Sequence, residues 1–340
     1  MKKLTKMMLW MAILPFLLVV SCKDDDPLPE DPFTILADHL IANNLDLPDM
    51  IATGWVTARP ATAGEVDGFL STRYVIDIRS AADYAKGHIA GAVNSTLAGV
   101  LTEAENAGDK QILVVCYTGQ GAGHGVVALR LSGYTDAQVL KWGMSGWSNN
   151  IDGNQDGDFE DPEDIVFDKW TGGTSSAAVG HANWTTDATA TVETFEYPTI
   201  TSTSSDAAAI LEARVAAMLQ AGFKGLPSSD IYGTPTNYHI NNFWDEDAVT
   251  KYGHIDGAYR IKPLSLEGGE LKYLDPDATV INYCWTGQTS SMITAYLNVI
   301  GYTAQSLKFG ANGMINSELD ATVHAKYIWH TPGTDYPVVQ

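Results

Sequence analysis

Two five-residue segments of near-identical wording carry the chemistry open to this chain: Cys116-Tyr117-Thr118-Gly119-Gln120 and Cys284-Trp285-Thr286-Gly287-Gln288. Each follows a β-branched apolar run, Ile112-Leu113-Val114-Val115 in one and Val280-Ile281 in the other. Each precedes a stretch with helical patterning, residues 126–131 and 292–297. A short apolar run reads as a buried parallel strand, and a small-residue turn leading into a helix completes a strand–loop–helix unit. Such a unit sets the thiol at the carboxyl end of a strand, where α/β sheets bind ligands, beside a helix N-terminus. Peptide N–H groups and the positive dipole end favour a thiolate there, so both cysteines are expected to titrate low and act as nucleophiles.

Other residues must position those thiols. Upstream of Cys116 lie Tyr74-Val75-Ile76-Asp77-Ile78-Arg79-Ser80 and Tyr84-Ala85-Lys86-Gly87-His88-Ile89-Ala90-Gly91-Ala92. Downstream come Gly133-Tyr134 and Leu140-Lys141-Trp142-Gly143-Met144-Ser145-Gly146-Trp147. The second cysteine has Tyr252-Gly253-His254-Ile255-Asp256-Gly257-Ala258 before it, then Gly301-Tyr302 and Leu307-Lys308-Phe309-Gly310 after it. This order of motifs, present twice, resembles the rhodanese family of sulfurtransferases over most of the chain after its first fifty residues. The resemblance implies an α/β fold of two rhodanese-like domains, each a central mostly parallel sheet flanked by helices. The domains are placed at residues 34–150 and 205–340 and are expected to act as separate units.

The copies differ from each other. Asn241 and Phe243 are read as standing where Asp77 and Arg79 stand, so the acid–base pair supporting the first site is missing from the second. Gly121 and Ala122 replace hydroxyl residues that the second loop keeps as Thr289 and Ser290, which are expected to strengthen anion holding there. A phosphatase on a related fold would need arginine six residues after the cysteine to clamp phosphate. Ala122 and Ser290 occupy those places, which argues against that activity.

The amino terminus reads as a processing segment. Lys2, Lys3 and Lys6 form a basic head, residues 7–20 an apolar core too short to span a bilayer comfortably, and Val19-Val20-Ser21-Cys22 resembles the lipobox of bacterial lipoproteins. That resemblance implies a signal over residues 1–21, lipidation at Cys22 and a tether over residues 22–33; an ordinary cleaved secretory signal is the alternative. Lys23-Asp24-Asp25-Asp26 resembles an outer-membrane surface-export signal, or is a solvated tether. The expected location is the cell envelope, as an outer-membrane lipoprotein, periplasmic or surface-exposed.

With Cys22 assigned to lipid, only the two loop thiols remain of three cysteines, so a disulfide framework is excluded. The formal net charge of −21 becomes −24 when three lysines leave with the signal. Such a chain does not attract nucleic acid or an anionic membrane by charge, and the lipid anchor is its expected membrane contact.

Between the copies, Asp152, Asn154, Asp156, Asp158 and Glu163 fit the calcium-loop pattern, with Gly157 at its sixth place. Flanking helices are not evident and Pro162 interrupts the end, so a structural calcium site and a plain acidic loop both stay open. Residues 151–204 are expected as acidic loop and linker, with a helix starting near Ser205 or Asp206. His88 and His254 read as structural turn residues.

The family resemblance implies a reaction needing no cofactor. A cysteine thiolate takes a sulfane sulfur from a small donor as a persulfide, then passes it to an acceptor such as a thiol or cyanide. Loop N–H groups of Tyr117, Thr118, Gly119, Gln120 and Gly121, and of Trp285, Thr286, Gly287, Gln288 and Thr289, would hold the anionic sulfur as an oxyanion hole holds oxygen. Neither loop carries a basic residue, which leaves thiosulfate, polysulfide and mercaptopyruvate open as donors. A non-catalytic sulfur-carrier or binding module is the alternative reading.

Overall fold

Five strands build the first sheet: β1 (Val56–Thr57), β2 (Arg73–Asp77), β3 (Val93–Asn94), β4 (Gln111–Val115) and β5 (Gln138–Leu140). They lie in the order β1-β5-β4-β2-β3, all parallel. The apolar residues 112–115 of β4 are fully buried, as a central parallel strand covered on both faces requires. The computed structural model describes residues 31–148, 167, 169–170, 173–330 and 336–340. Cys22, the signal and tether, and the acidic segment from Asp152 to Glu163 lie outside them.

After β6 (Trp184–Thr185), a second sheet forms from β7 (Gly225–Leu226), β8 (His239–Asn242), β10 (Thr279–Tyr283) and β11 (Thr303–Leu307), in the parallel order β7-β11-β10-β8. This repeats the β1-β5-β4-β2 arrangement. The expected linker is not wholly irregular, because β6 pairs antiparallel with β9 (His254–Ile255). The expected helix runs over Ala207–Ala221, capped by Asp206, whose carboxylate accepts from Ala209 N–H.

The halves are not separate units. One core contains Leu36, Leu40, Val126 and Leu129 from the first together with Ile210, Ile293, Tyr296 and Leu297 from the second. The helices that follow the two cysteine loops, Gln120–Leu131 and Gln288–Val299, pack on each other. A Cβ on Gly123 would lie 3.0 Å from Ser291 Oγ and 3.2 Å from Met292 Cγ, so glycine there permits the close approach. Asp46 joins the halves again, accepting from Ser265 Oγ at 2.8 Å and from Leu266 N–H at 3.0 Å. The last residues, expected in the second domain, return to the first: Val339 and His88 exchange backbone hydrogen bonds, and Tyr336 packs on Trp147.

Candidate active site

At the end of β4 the chain turns through Gly119, left-handed at φ 77°, into its helix. The turn folds peptide N–H groups back over the thiol: Gly119 N–H donates to Cys116 Sγ at 3.1 Å and Ala122 N–H at 3.3 Å. The second loop repeats the device, with Gly287 at φ 76° and Ser290 N–H 3.3 Å from Cys284 Sγ. Ala122 and Ser290 lie one residue beyond the expected cradles, because the first helical turn is where N–H groups lack intrahelical partners. The Ser290 hydroxyl bonds to Ser306 Oγ at 2.8 Å. What Ser290 gives the thiol is therefore its backbone, which corrects the reading of that hydroxyl as an anion holder.

The segment after β5 closes the first loop from behind, and the segment after β11 closes the second. Met144 N–H donates to the Cys116 carbonyl at 2.8 Å and Ala311 N–H to the Cys284 carbonyl at 3.0 Å. A Cβ on Gly143 would stand 2.3 Å from the Cys116 carbonyl oxygen, and one on Gly310 2.1 Å from that of Cys284. The preceding Trp142 (φ 67°) and Phe309 (φ 65°) are both left-handed. Non-glycine residues hold that conformation only where surrounding contacts impose it, and here they do so beside both thiols.

Asp77 and Arg79 form a fully buried ion pair, Nη2 to Oδ2 at 2.7 Å. Arg79 also donates to the Gly87 carbonyl at 2.7 Å, which ties the end of β2 to the segment before His88. The strand register corrects the counterparts in the second half. Asp77 pairs with Val115, the residue before Cys116, and it is Asn242 that pairs with Tyr283, the residue before Cys284. The backbone agrees: Arg79 N–H donates to Asp77 Oδ1 at 3.0 Å and Trp244 N–H to Asn242 Oδ1 at 3.1 Å. Asn242 and Trp244, not Asn241 and Phe243, thus stand where Asp77 and Arg79 do. Trp244 stacks on Trp285 with centroids 4.6 Å apart, so aromatic packing replaces the ion pair.

Both thiols are buried, but in different surroundings. Cys116 is buried within the shared core. Burial pushes its thiol above the usual value against the pull of the Ala122, Thr118 and Gly119 N–H groups, and the Asp77 carboxylate adds to the rise. The expected lowering therefore fails at Cys116. The Tyr117 hydroxyl is bonded to the Asp83 carboxylate.

Cys284 lines a cavity of about 550 Å³, together with Trp285, Thr286, Gln288 and Thr289 of its own loop. Trp55, Val56 and Lys141 reach this cavity from the first half. Lys262 and Lys326 line it as well, so basic residues absent from the loops arrive from other elements. Lys262 is paired with Asp245 at 2.7 Å. No periodicity or motif marks these lysines in the sequence. His88 and His254 are structural: His88 stacks on Tyr84, and both ring nitrogens of His254 meet backbone carbonyls.

Asp77, Arg79 and the Cys116 loop, on the parallel strands of the first half, fall within the segment that a family model matches. Residues 62–150 match the family model of the rhodanese-like domain. The chain is 36% identical over 78 residues to the uncharacterized protein YibN of Escherichia coli K12, an alignment covering 22% of this chain. The chain spans about half the length of the curated relatives it matches, 54%. Among solved structures, a thiosulfate sulfurtransferase from Pseudomonas aeruginosa aligns over 89% of this chain and 49% of its own, at 18% identity and TM-score 0.27. The 3-mercaptopyruvate sulfurtransferase of Leishmania major aligns over 82% of this chain and 78% of its own, at 12% identity and TM-score 0.26.

Proposed function

We propose that this chain is a tandem sulfurtransferase in which Cys284 carries the sulfur and the first rhodanese-like domain completes its site. The observation that carries the reading is the placement of Cys284. Its Sγ accepts a helix N-terminal N–H from Ser290 and the residue lines a cavity walled by both halves. The Cys284 thiolate attacks the outer sulfur of a donor; a new S–S bond forms, the donor's own bond to that sulfur breaks, and the donor remnant leaves with the electron pair. An acceptor thiolate or cyanide then attacks the persulfide's outer sulfur, and the Cys284 thiolate is released with its electron pair. The N–H groups around the loop stabilise the anionic sulfur at both stages.

Mass spectrometry after exposure to thiosulfate, polysulfide or mercaptopyruvate tests this. A gain of one sulfur atom on the peptide containing Cys284, lost again on adding cyanide, is the expected result. No gain with any donor would refute the transfer chemistry. A second reading, favoured by the raised Cys116 thiol and its place outside the cavity that Cys284 lines, makes the first loop a scaffold or sulfur carrier that does not turn over.

The lipid anchor at Cys22 and the envelope location belong to the same proposal, on the strength of the sequence. So does structural calcium at the loop from Asp152 to Glu163. Calorimetric titration showing no heat at millimolar calcium would leave that loop a plain linker.

A further inference from the structure

The cavity at Cys284 is too large and too aromatic for an inorganic sulfur oxyanion. Such an anion occupies a few water volumes, roughly 100 Å³, whereas this cavity holds about 550 Å³. That is the range of sites that enclose an organic molecule of moderate size. Its walls include Trp55, Phe243, Trp285 and Tyr327. Trp285 is held by two stacked neighbours, with Trp244 at 4.6 Å and His324 at 4.4 Å between centroids, so its ring is a rigid wall. Positive charge is placed at the same site. Lys141 is tethered through its ammonium to the Lys326 carbonyl, and the Lys326 ammonium lies 4.7 Å from the centre of the Tyr327 ring.

We infer that the sulfur compound bound at Cys284 is an organic anion with a flat, apolar or aromatic body, its charged group met by Lys141 and Lys326 and its body lying against Trp285 and Tyr327. This rests on Cys284 as the sulfur-carrying residue. The first half then supplies specificity, since Lys141 and Trp55 belong to it. For a thiosulfonate donor the step balances without a further reactant. The Cys284 thiolate takes the outer sulfur, a persulfide anion forms, and the sulfinate leaves with the electron pair.

The test uses the full chain and two pairs of probes that differ in their body. Benzenesulfinate and methanesulfinate share one charged group, and their binding is read by titration calorimetry without turnover. Benzenethiosulfonate and methanethiosulfonate are compared as donors by kcat/KM. The phenyl member of each pair is expected to be favoured roughly tenfold or more, the scale on which apolar pockets discriminate. Tyr327→Leu and, separately, Trp55→Leu should shrink that ratio, while Lys141→Met should weaken both sulfinates alike. Circular dichroism of each variant guards against misfolding. Equal binding and equal turnover of phenyl and methyl members would overturn the inference while leaving sulfur transfer at Cys284 standing. Absence of transfer from every donor would overturn the functional proposal instead, and the sulfinate titration would still judge the cavity.

Discussion

Gln120 and Gln288, at the first position of their respective helices, cross between the halves, Gln288 into the Cys116 loop and Gln120 to the segment behind the Cys284 loop. Gln288 Nε2 donates to the Thr118 carbonyl at 3.0 Å, and Gln120 Oε1 accepts from Phe309 N–H at 2.8 Å. Each amide occupies space that only a glycine leaves open. A Cβ on Gly119 would lie 2.1 Å from Gln288 Nε2, and one on Gly287 2.2 Å from Gln120 Oε1. The loops are therefore mechanically joined, and their cysteines do not sit in independent sites.

That crossing predicts non-additive behaviour. Gln120→Ala removes the hydrogen bond from Phe309 N–H, behind the second half's loop, and should slow sulfur transfer at Cys284 about fivefold, the scale of about 1 kcal/mol. Combining it with Gln288→Ala should cost less than the two losses added, because the same interface has already loosened. Gly119→Ala, which meets both positive φ and the amide, should lower stability by roughly 2–4 kcal/mol. Urea unfolding reads the last effect; strict additivity of the glutamine variants would contradict the coupling.

The buried pair Asp77–Arg79 gives a sharper stability test. Asp77→Asn leaves a guanidinium without its counter-charge in the interior and should destabilise by about 3–5 kcal/mol. Asp77→Asn with Arg79→Met removes both charges and should recover much of that loss. A double variant as unstable as the single one would mean that packing, not charge, decides the site.

His124 joins the halves and sets an acid limit. Lys224 N–H donates to its Nε2 at 3.3 Å, so Nδ1 carries the proton facing Ser291 Oγ at 2.9 Å. Burial, and secondarily the Lys224 charge, lowers its pKa to about 3. The unfolded chain takes up this proton near pH 6.5 and the folded chain only near 3. The contribution to stability is thus complete above about 6.5 and is lost as pH falls through that window. Each unit is worth about 1.4 kcal/mol, so at pH 5 the loss is about 2 kcal/mol. His124→Gln should flatten the stability slope between pH 7 and 5; an unchanged slope would remove His124 as its cause.

The two thiols should behave differently. Cys284→Ser is expected to abolish sulfur transfer, and Cys116→Ser to reduce it only through loosening of the joined loops. Because burial raises the Cys116 thiol, its thiolate fraction at neutral pH is small. Alkylation at Cys116 should accelerate with pH up to a midpoint above the usual thiol value, followed by peptide mapping with iodoacetamide. Rapid alkylation of Cys116 at pH 6 would contradict this.

For the anchor, Cys22→Ala should release the protein from the membrane fraction or block its maturation. Normal membrane retention and an unaltered mature mass in that variant would dismiss lipidation.

Much of this arrangement is written locally. The run before Cys116 is apolar throughout because β4 is covered on both faces, and the Thr-Gly-Gln turn after each cysteine needs a left-handed glycine before a helix. Periodicity and turn chemistry act over a few residues, so strands, loops and the Asp206 cap were legible from the sequence. What tertiary structure alone decided are contacts between distant parts of the chain. The pairing of Asn242 with Tyr283 depends on strand register, which a count along the chain misplaces by one. The upshift at Cys116 depends on burial in a core drawn from both halves, against which its loop N–H groups are not enough. The lysines at the Cys284 cavity come from three separated segments, and no local pattern records their meeting, because packing of one half on the other brings them together.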